Sequence, residues 1–390
     1  MRVETLRKNG AAPSAGSISV NWRHFDFWLL GAVVVLTLFG ITMIRSAVAG
    51  NIELTTETNL VNRQFIFSLI GIILMFAIAG IDYHYWASIH GLMYVVTFFA
   101  LLILNVIAAA VFGSARWFSL VVVNIQPSEI AKIVMIMVLA EYFTRNIHQM
   151  DKISVIFRSL LMTMGLTIWI ILQPNLSTSI VMLVLWFSML WVSGLRIKHL
   201  LTFALTGALI LAITLPILIE TEVIKEYQIN RVMSFIAPDE DASYGDEYNI
   251  EQALITIGSG GLFGQGYGHG SQVQLRFLKV RWSDFIFSAM SQEFGFVGAS
   301  LVILLLLFII YRCLRTARLA RDTYGALIAY GVATMLTFQA IVNIGVNLRL
   351  LPATGLTLPF LSYGGSSLFT NLMAIGLVQS VILRHKSLEF

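Results

Sequence analysis

Long apolar runs separated by short polar segments fill most of the chain. Runs of roughly 20 apolar residues are long enough to cross a bilayer as helices, whereas membrane β-strands alternate apolar and polar positions in segments about half that length. The pattern therefore predicts an all-α integral membrane protein with ten transmembrane helices. The predicted spans are residues 25–46, 62–80, 90–112, 127–143, 156–173, 178–193, 199–219, 284–311, 324–347 and 366–383.

The longest polar interruption, residues 220–283, lies between predicted spans seven and eight. Loops of this length are uncommon and usually functional. Residues 220–247 are charged, whereas residues 248–283 are apolar enough to return into the protein, with a short helix expected at 250–257 and a glycine-rich stretch after it. Glycine permits positive φ and close backbone approach. We expect this loop to contain the functional centre.

Composition and charge indicate the class of protein and its orientation. The chain is 57% hydrophobic and 12% charged, so almost no sequence is left for a soluble domain, and the single cysteine, Cys313, excludes internal disulfides. Lys and Arg collect in residues 1–24 and in the loops on the same side, which predicts cytoplasmic termini and an extracytoplasmic 220–283 loop. The predicted organisation is a tail at 1–24, a membrane domain at 25–385 and a tail at 386–390. The net charge of +4 is not a nucleic-acid signal.

Asp284 lies where the long loop meets predicted span eight. One interpretation is a helix N-cap, because a carboxylate there satisfies free backbone N–H groups. The other is a functional carboxylate at the membrane boundary, beside the cations Arg276, Lys279 and Arg281, which would attract an anionic substrate. The two roles are compatible, and the sequence leaves both open.

A second polar group opens predicted span four, where Pro127 and Ser128 precede Glu129 and Lys132. The last two residues are three apart and share a helix face. Because an ionisable group inside a span costs about 2.5–3.5 kcal/mol, such groups normally pair and line a polar cavity. We predict a Glu129–Lys132 pair, either purely structural or at the edge of a substrate cavity.

Three further segments are candidates. Arg116 and Trp117 follow predicted span three, where an Arg–Trp pair is usually an interfacial anchor. Asn175 lies in a polar turn between spans five and six, which is an ordinary connector by itself. Residues 343–367 are apolar but rich in proline and glycine, and they are predicted to form a re-entrant segment packed inside the protein. That segment contains the last two candidates, Arg349 and Ser366.

Metal and nucleotide motifs are weak in this sequence. The histidines are scattered, and the glycine-rich stretch lacks the spacing of phosphate-binding loops. A divalent cation, Mg²⁺ or Mn²⁺, bound by Asp284 and a substrate phosphate stays open, and no cofactor is otherwise indicated.

Several short motifs occur together in one order. They are Arg116-Trp117, Gln126-Pro-Ser-Glu129 with Lys132, Gln173-Pro174, Ile257-Gly-Ser-Gly-Gly-Leu-Phe-Gly264, Gly270-Ser-Gln272, Asp284-Phe-Ile-Phe287, Glu293-Phe-Gly-Phe296, Asn343-Ile-Gly345 and Leu358-Pro-Phe-Leu-Ser-Tyr-Gly-Gly-Ser-Ser367. With ten predicted spans, residues 25–385 resemble the SEDS proteins (shape, elongation, division and sporulation), which include the RodA and FtsW types. The residues at 248–252 and 293–296 are more similar to those of the RodA type than to those of the FtsW type.

The resemblance implies a peptidoglycan glycosyltransferase that polymerises lipid II at the outer face of the bacterial cytoplasmic membrane, with a role in cell elongation and shape. It implies a class B penicillin-binding protein as partner, beside other elongation or division proteins and membrane lipid. The family's essential loop aspartate falls on Asp284, its buried pair on Glu129 and Lys132, and a motif glutamine on Gln272. The chain departs from the family where Asn175 replaces an acidic residue.

The predicted chemistry needs one carboxylate. Asp284 would act as general base on the acceptor hydroxyl, since the lipid pyrophosphate is already a good leaving group. Two other functions remain alternatives: a flippase for lipid-linked precursors, or a non-catalytic scaffold for a penicillin-binding protein. A flippase should place paired charges at the bilayer midplane, whereas the polar residues here gather at the outer ends of spans.

Overall fold

The computed structural model of the protein describes residues 22–49, 59–110, 117–119, 124–173, 175–195 and 245–385. Predicted span seven at 199–219, the charged part of the long loop up to 244, and Arg116 lie outside these ranges.

Helices form most of the described structure. They are α1 (Phe27–Val48), α2 (Leu60–Gly80), α3 (Tyr83–Ala110), α4 (Pro127–Arg145), α5 (Ile153–Leu172), α6 (Leu176–Val192), α7 (Asp246–Ser259), α8 (Ser271–Gln274), α9 (Ile286–Leu319), α10 (Thr323–Asn347) and α11 (Gly365–Leu383), with 3₁₀ turns at Trp22–His24 and Ile147–Gln149. Among the described residues, seven helices are long and apolar enough to cross a membrane: α1, α2, α3, α5, α9, α10 and α11. The protein is therefore an all-helical multi-pass membrane protein, as predicted.

The helix bounds follow the predicted spans at most ends, and the exceptions have one cause. Helix α9 continues to Leu319, beyond the predicted end at 311, and α3 begins at Tyr83, before the predicted start at 90. The apolar run covers only the part of a helix that lies in the hydrocarbon region of the membrane. The helical hydrogen bonds of the backbone continue through the polar residues at either end. Helix α4 is not among the seven apolar helices, because it contains charged side chains such as Glu129.

One small sheet was not predicted. Strand β1 (Phe118–Ser119) pairs antiparallel with β2 (Asn124–Ile125), with Phe118 opposite Ile125. Only four residues take part, too few for a period-two pattern to be visible in the sequence. The sheet leads directly into α4.

The centre of the bundle is made of α4, α10 and α11. In the most apolar window of α11, 83% of the residues are buried, and in α10 the share is 67%, whereas in α3 it is 17%. Helix α4 is also mostly buried, including Met135 and Ile136 at 0% exposure. Helix α3 thus turns most of its surface to lipid, and the central helices carry the polar groups described below.

In the non-helical segment at 348–364, between α10 and α11, residues 358–362 are buried, whereas Arg349, Leu350 and Gly355 are exposed. Leu358, Phe360 and Leu361 are at most 2% exposed. Helix α1 approaches this segment closely, because a Cβ on Gly40 would lie 2.6 Å from the carbonyl oxygen of Leu361. The predicted packing inside the protein is therefore confirmed for residues 358–362.

Helix α9 is broken at Gly295, which has φ 66° and ψ −166°. The N–H groups of Phe296 and Val297 donate instead to the carbonyls of Gly261 and Leu262, at 2.9 and 3.1 Å. The predicted close approach of the glycine-rich stretch is confirmed at Gly264, since a Cβ there would lie 2.2 Å from the carbonyl oxygen of Glu293. The stretch therefore completes the hydrogen bonds of a broken helix.

We expect Gly295→Ala to destabilise the protein by about 2–4 kcal/mol, because positive φ strains a residue with a side chain and the new Cβ would lie 2.3 Å from the amide nitrogen of Gly264. Gly258→Ala is the matched control, since it lies in helix α7 with no atom within 4 Å of its Cβ position. The measurement is the thermal unfolding midpoint in detergent. Equal midpoints for the two variants would contradict the explanation.

Candidate functional site

Asp284 lies in the turn that precedes α9 and is half-buried. The residue at the N-cap position of α9 is Phe285, whose side chain makes no capping hydrogen bond. Asp284 therefore lies one residue before the N-cap position, and its capping role stays a prediction. The hydroxyl of Ser283 donates to Asp284 Oδ1 at 3.0 Å.

Two asparagines of α10 hold the backbone of Asp284. The Nδ2 atoms of Asn343 and Asn347 donate to the carbonyl oxygen of Asp284 at 3.1 and 3.0 Å. Asn347 Oδ1 in turn accepts from the N–H and the hydroxyl of Ser288 in α9, at 3.1 and 2.6 Å. Both asparagines are at most 2% exposed. They fix the position of the turn, and hence of the carboxylate.

Sequence reasoning gave neither asparagine this role. The sequence places Asn343 in a motif and both asparagines in the 343–367 segment, and neither placement predicts a contact with Asp284. Two amides four residues apart on one face of an apolar helix were the available signal, because buried polar groups in a span need partners. Which partners they find depends on the approach of α9, and that is not visible in the sequence.

A small cavity of about 40 Å³ adjoins the Asp284 side chain. It is lined by Asp284, Phe285, Asn343, Val346, Ala353, Thr354, Gly355 and Leu356. Asp284 Oδ2 lies 3.7 Å from the position of a Cβ on Gly355, so the bare backbone of that glycine forms the facing wall. Ligand pockets usually measure about 300–1,000 Å³. A cavity this small holds one reacting group, and a larger substrate would lie across its mouth.

Glu129 and Lys132 form the predicted ion pair in the first turns of α4. Lys132 Nζ lies 2.8 Å from Glu129 Oε2, and the two residues are 0% and 7% exposed. The pairing and the shared helix face are thus confirmed. Because the two opposite charges are paired at 2.8 Å, this buried site has little net charge.

Contacts between neighbouring elements connect the start of α4 with the surroundings of Asp284. Asn175, which caps α6, donates from Nδ2 to the hydroxyl of Ser128 in α4 at 3.4 Å. Ser177, in the first turn of α6, donates to the carbonyl oxygen of Thr354, which lines the cavity beside Asp284. The candidates Ser128 and Asn175 therefore lie at the same end of the bundle as Asp284.

Two other candidates have different surroundings. The Ser366 hydroxyl donates to the carbonyl oxygen of Asn124 at 2.6 Å and accepts from the N–H of Gln126 at 2.9 Å. It thereby joins the start of α11 to β2 and to the start of α4. Trp117 is 48% exposed, as expected of an interfacial anchor, and Arg116 lies outside the described residues.

The predicted basic cluster is divided by the fold. Arg276 and Lys279 are exposed, whereas Arg281 is only 4% exposed and donates from Nε to the carbonyl oxygen of Ala47 at 2.6 Å. Burial, and then the charge of Arg276, lowers the pKa of Arg281 below its usual value. Arg281 thus holds the loop against the end of α1, whereas Arg276 and Lys279 are exposed.

The remaining candidates are Gln272 and Arg349. Gln272 is half-buried in α8, and within the described part of the chain its buried Oε1 accepts no hydrogen bond. Arg349 is exposed just after α10, with φ 56°. In the described ranges, no group of three His, Cys, Asp or Glu residues clusters in the manner of a metal site.

The family model of the cell cycle proteins FtsW, RodA and SpoVE matches residues 27–387. The chain belongs to this family. The SEDS resemblance carried by the motifs is therefore correct at family level, and the match covers every described helix.

Individual SEDS relatives align with nearly the whole of this chain. Stage V sporulation protein E of Bacillus subtilis (strain 168) is 35% identical over 367 residues, covering 91% of this chain and 96% of that protein. The "Probable peptidoglycan glycosyltransferase FtsW" of Geobacter sp. (strain M18) is 33% identical over 365 residues, covering 92% and 97%.

Solved SEDS structures have the same fold. A chain from a peptidoglycan synthase complex that coordinates polymerization and crosslinking matches with a TM-score of 0.76 and 28% identity, covering 92% of this chain and 97% of that one. The rod shape determining protein RodA of Thermus thermophilus matches with a TM-score of 0.67 and 27% identity, covering 94% and 99%. The comparisons include SpoVE, FtsW and RodA proteins, so they support the family without singling out the RodA type.

We expect Glu129→Gln to destabilise the protein by about 3 kcal/mol, because it leaves the buried ammonium of Lys132 without a counter-charge. The double variant Glu129→Gln/Lys132→Met should recover most of that loss, since it removes the isolated charge. Thermal unfolding in detergent measures both. A single variant as stable as the unmodified protein would show that Lys132 does not depend on Glu129.

Proposed function

We propose that the protein is a peptidoglycan glycosyltransferase that polymerises lipid II, with Asp284 as its general base. The observation that carries the proposal is the half-buried Asp284 carboxylate, held beside a small cavity by the Asn343 and Asn347 amides. Family membership supports it, because FtsW relatives bear the name of probable peptidoglycan glycosyltransferases.

The reaction needs one proton transfer. The acceptor sugar hydroxyl attacks the anomeric carbon of the donor, a glycosidic C–O bond forms, and the bond from that carbon to the lipid pyrophosphate oxygen breaks. Asp284 takes the hydroxyl proton and later returns it to water. Because the pyrophosphate leaves as a stable anion, no general acid is needed. A single oriented carboxylate fits this chemistry.

The charge on the departing pyrophosphate requires cations at the outer end of the bundle. Arg276, Lys279 and Arg349 are exposed and suit this role. Lys132 is buried against Glu129 and supports the cavity wall, and Arg281 positions the loop. A divalent cation at this position would share Asp284 with the substrate phosphates, since carboxylate and phosphate oxygens are its preferred ligands.

The proposal includes a topology and a partner. Ten spans within 25–385 would place both termini in the cytoplasm and the 220–283 loop outside, where lipid-linked precursors are polymerised. A class B penicillin-binding protein would supply the crosslinking activity. The similar chain in a synthase complex that coordinates polymerization and crosslinking supports such a pairing.

Purified protein incubated with lipid II, and with no other polymerase, tests the activity. We expect glycan strands from the unmodified chain and a loss of at least about 100-fold for Asp284→Asn, the usual contribution of a general base. Glu251→Gln is the matched control, because Glu251 is an exposed acid of the same loop region, in α7. Lipid movement across vesicles without polymer would indicate a flippase, and neither activity would indicate a scaffold.

The cellular programme is a separate prediction. The motif residues at 248–252 and 293–296 are more similar to the RodA type, and this similarity is the support for a role in elongation. We therefore expect depletion of the protein in its host to give rounded cells, measured by microscopy as a fall in the ratio of length to width. Filaments would assign the protein to division instead, and normal growth with failed spore formation would assign it to sporulation.

A further inference from the structure

A cavity of about 350 Å³ lies at the end of the bundle opposite Asp284. Its polar lining comes from three parts of the chain: His24 and Asp26 before α1, Arg312 and Arg315 late in α9, and His385 after α11. Arg312 comes 26 residues after the start of α9 at Ile286, so at 1.5 Å per residue it lies roughly 35–40 Å from the Asp284 turn. The proposed polymerisation site does not include this cavity.

One arginine of the cavity is already neutralised. Arg312 Nη2 and Nε lie 2.5 and 2.6 Å from Asp26 Oδ2. Asp26 Oδ1 accepts from the N–H of Leu29, and Gln379 binds the Asp26 backbone N–H and carbonyl at 3.0 and 2.9 Å. Asp26 is 5% exposed. This pair therefore forms a rigid floor with no net charge.

The second arginine leaves the cavity positive. Arg315 is exposed one turn after Arg312, and in the described part of the chain no carboxylate pairs with it. The two imidazoles lie close to each other, with 4.5 Å between the ring centroids of His24 and His385. His385 Nδ1 donates to the carbonyl oxygen of Ile382 at 2.7 Å, so in this tautomer Nε2 carries a lone pair and does not donate to an anion. The cavity thus offers the Arg315 guanidinium and the His24 ring N–H to an anion.

The rim of the cavity is apolar and exposed. Phe27 and Trp28 are 66% and 74% exposed, and Leu319 is 40% exposed. Aromatic residues at the end of a membrane helix typically lie at the level of lipid headgroups. A soluble anion would gain nothing from this rim, whereas a phospholipid could lay its acyl chains against it. The combination of charge and apolar rim therefore favours a lipid.

We propose that this cavity binds the headgroup of an anionic phospholipid. Arg315 holds the phosphate, with His24 as a further donor, and the acyl chains lie on Phe27 and Trp28. Guanidinium groups bind phosphate with two parallel hydrogen bonds, and basic pockets between membrane helices bind anionic headgroups. The cavity volume, near the lower end for ligand pockets, suits a headgroup and not a whole lipid.

Native mass spectrometry of the full chain in detergent tests this inference. The probes are phosphatidylglycerol and phosphatidylethanolamine with identical acyl chains. We expect phosphatidylglycerol to bind more tightly to the unmodified chain, and Arg315→Gln to weaken its binding about five- to tenfold. Arg315→Lys should retain part of the affinity because it keeps the charge. Arg318→Gln is the matched control, since Arg318 is exposed on the same helix one turn further and does not line the cavity.

Three outcomes would overturn the inference. Equal binding of the two lipids would remove headgroup charge as the cause. An equal loss in the Arg315→Gln and Arg318→Gln variants would indicate general surface charge and not a site. Displacement of phosphatidylglycerol by millimolar inorganic phosphate would assign the cavity to a soluble anion. Polymerisation of lipid II, assayed separately, is expected to be unchanged in detergent for Arg315→Gln, so the two proposals fail independently.

Discussion

Backbone that is buried without helical hydrogen bonds has to find partners inside this protein, and that constraint organises the end of the bundle around Asp284. The segment at 348–364 receives amide hydrogen bonds from Gln64 of α2 and Asn343 of α10. Asn343 also binds the carbonyl oxygen of Asp284. The side chains that make a non-helical segment tolerable among membrane helices therefore also position the proposed catalytic carboxylate.

The same constraint explains the glycine-rich stretch. A helix broken at Gly295 leaves N–H groups that need acceptors, and the carbonyls of Gly261 and Leu262 supply them. The backbones of the glycine-rich stretch and of α9 lie so close together that a Cβ atom on Gly264 or Gly295 would clash with the other segment. Neither position therefore tolerates a side chain. The stretch is thereby fastened to α9 and fixes the loop that leads to Asp284.

Charge is arranged similarly at both ends of the bundle. Each end has a buried ion pair that cancels locally, Glu129 with Lys132 at one end and Asp26 with Arg312 at the other. Exposed cations such as Arg315 lie near these pairs and remain available to anions. The buried pairs shape polar surroundings at little net charge, and under both proposals the exposed cations are what attracts phosphate-bearing lipids to each end.

The sequence by itself determined the membrane class, most helix bounds and the Glu129–Lys132 pair, because apolar run length and helical spacing are local properties. It also predicted the buried segment before α11 from its apolar, proline- and glycine-rich composition. The tertiary structure alone decided that Asn343 and Asn347 hold the backbone of Asp284, that Arg281 is buried against α1, and that a basic cavity forms between the start of α1 and the ends of α9 and α11. Each of these depends on contacts between residues far apart in sequence, and no local pattern specifies which helices become neighbours.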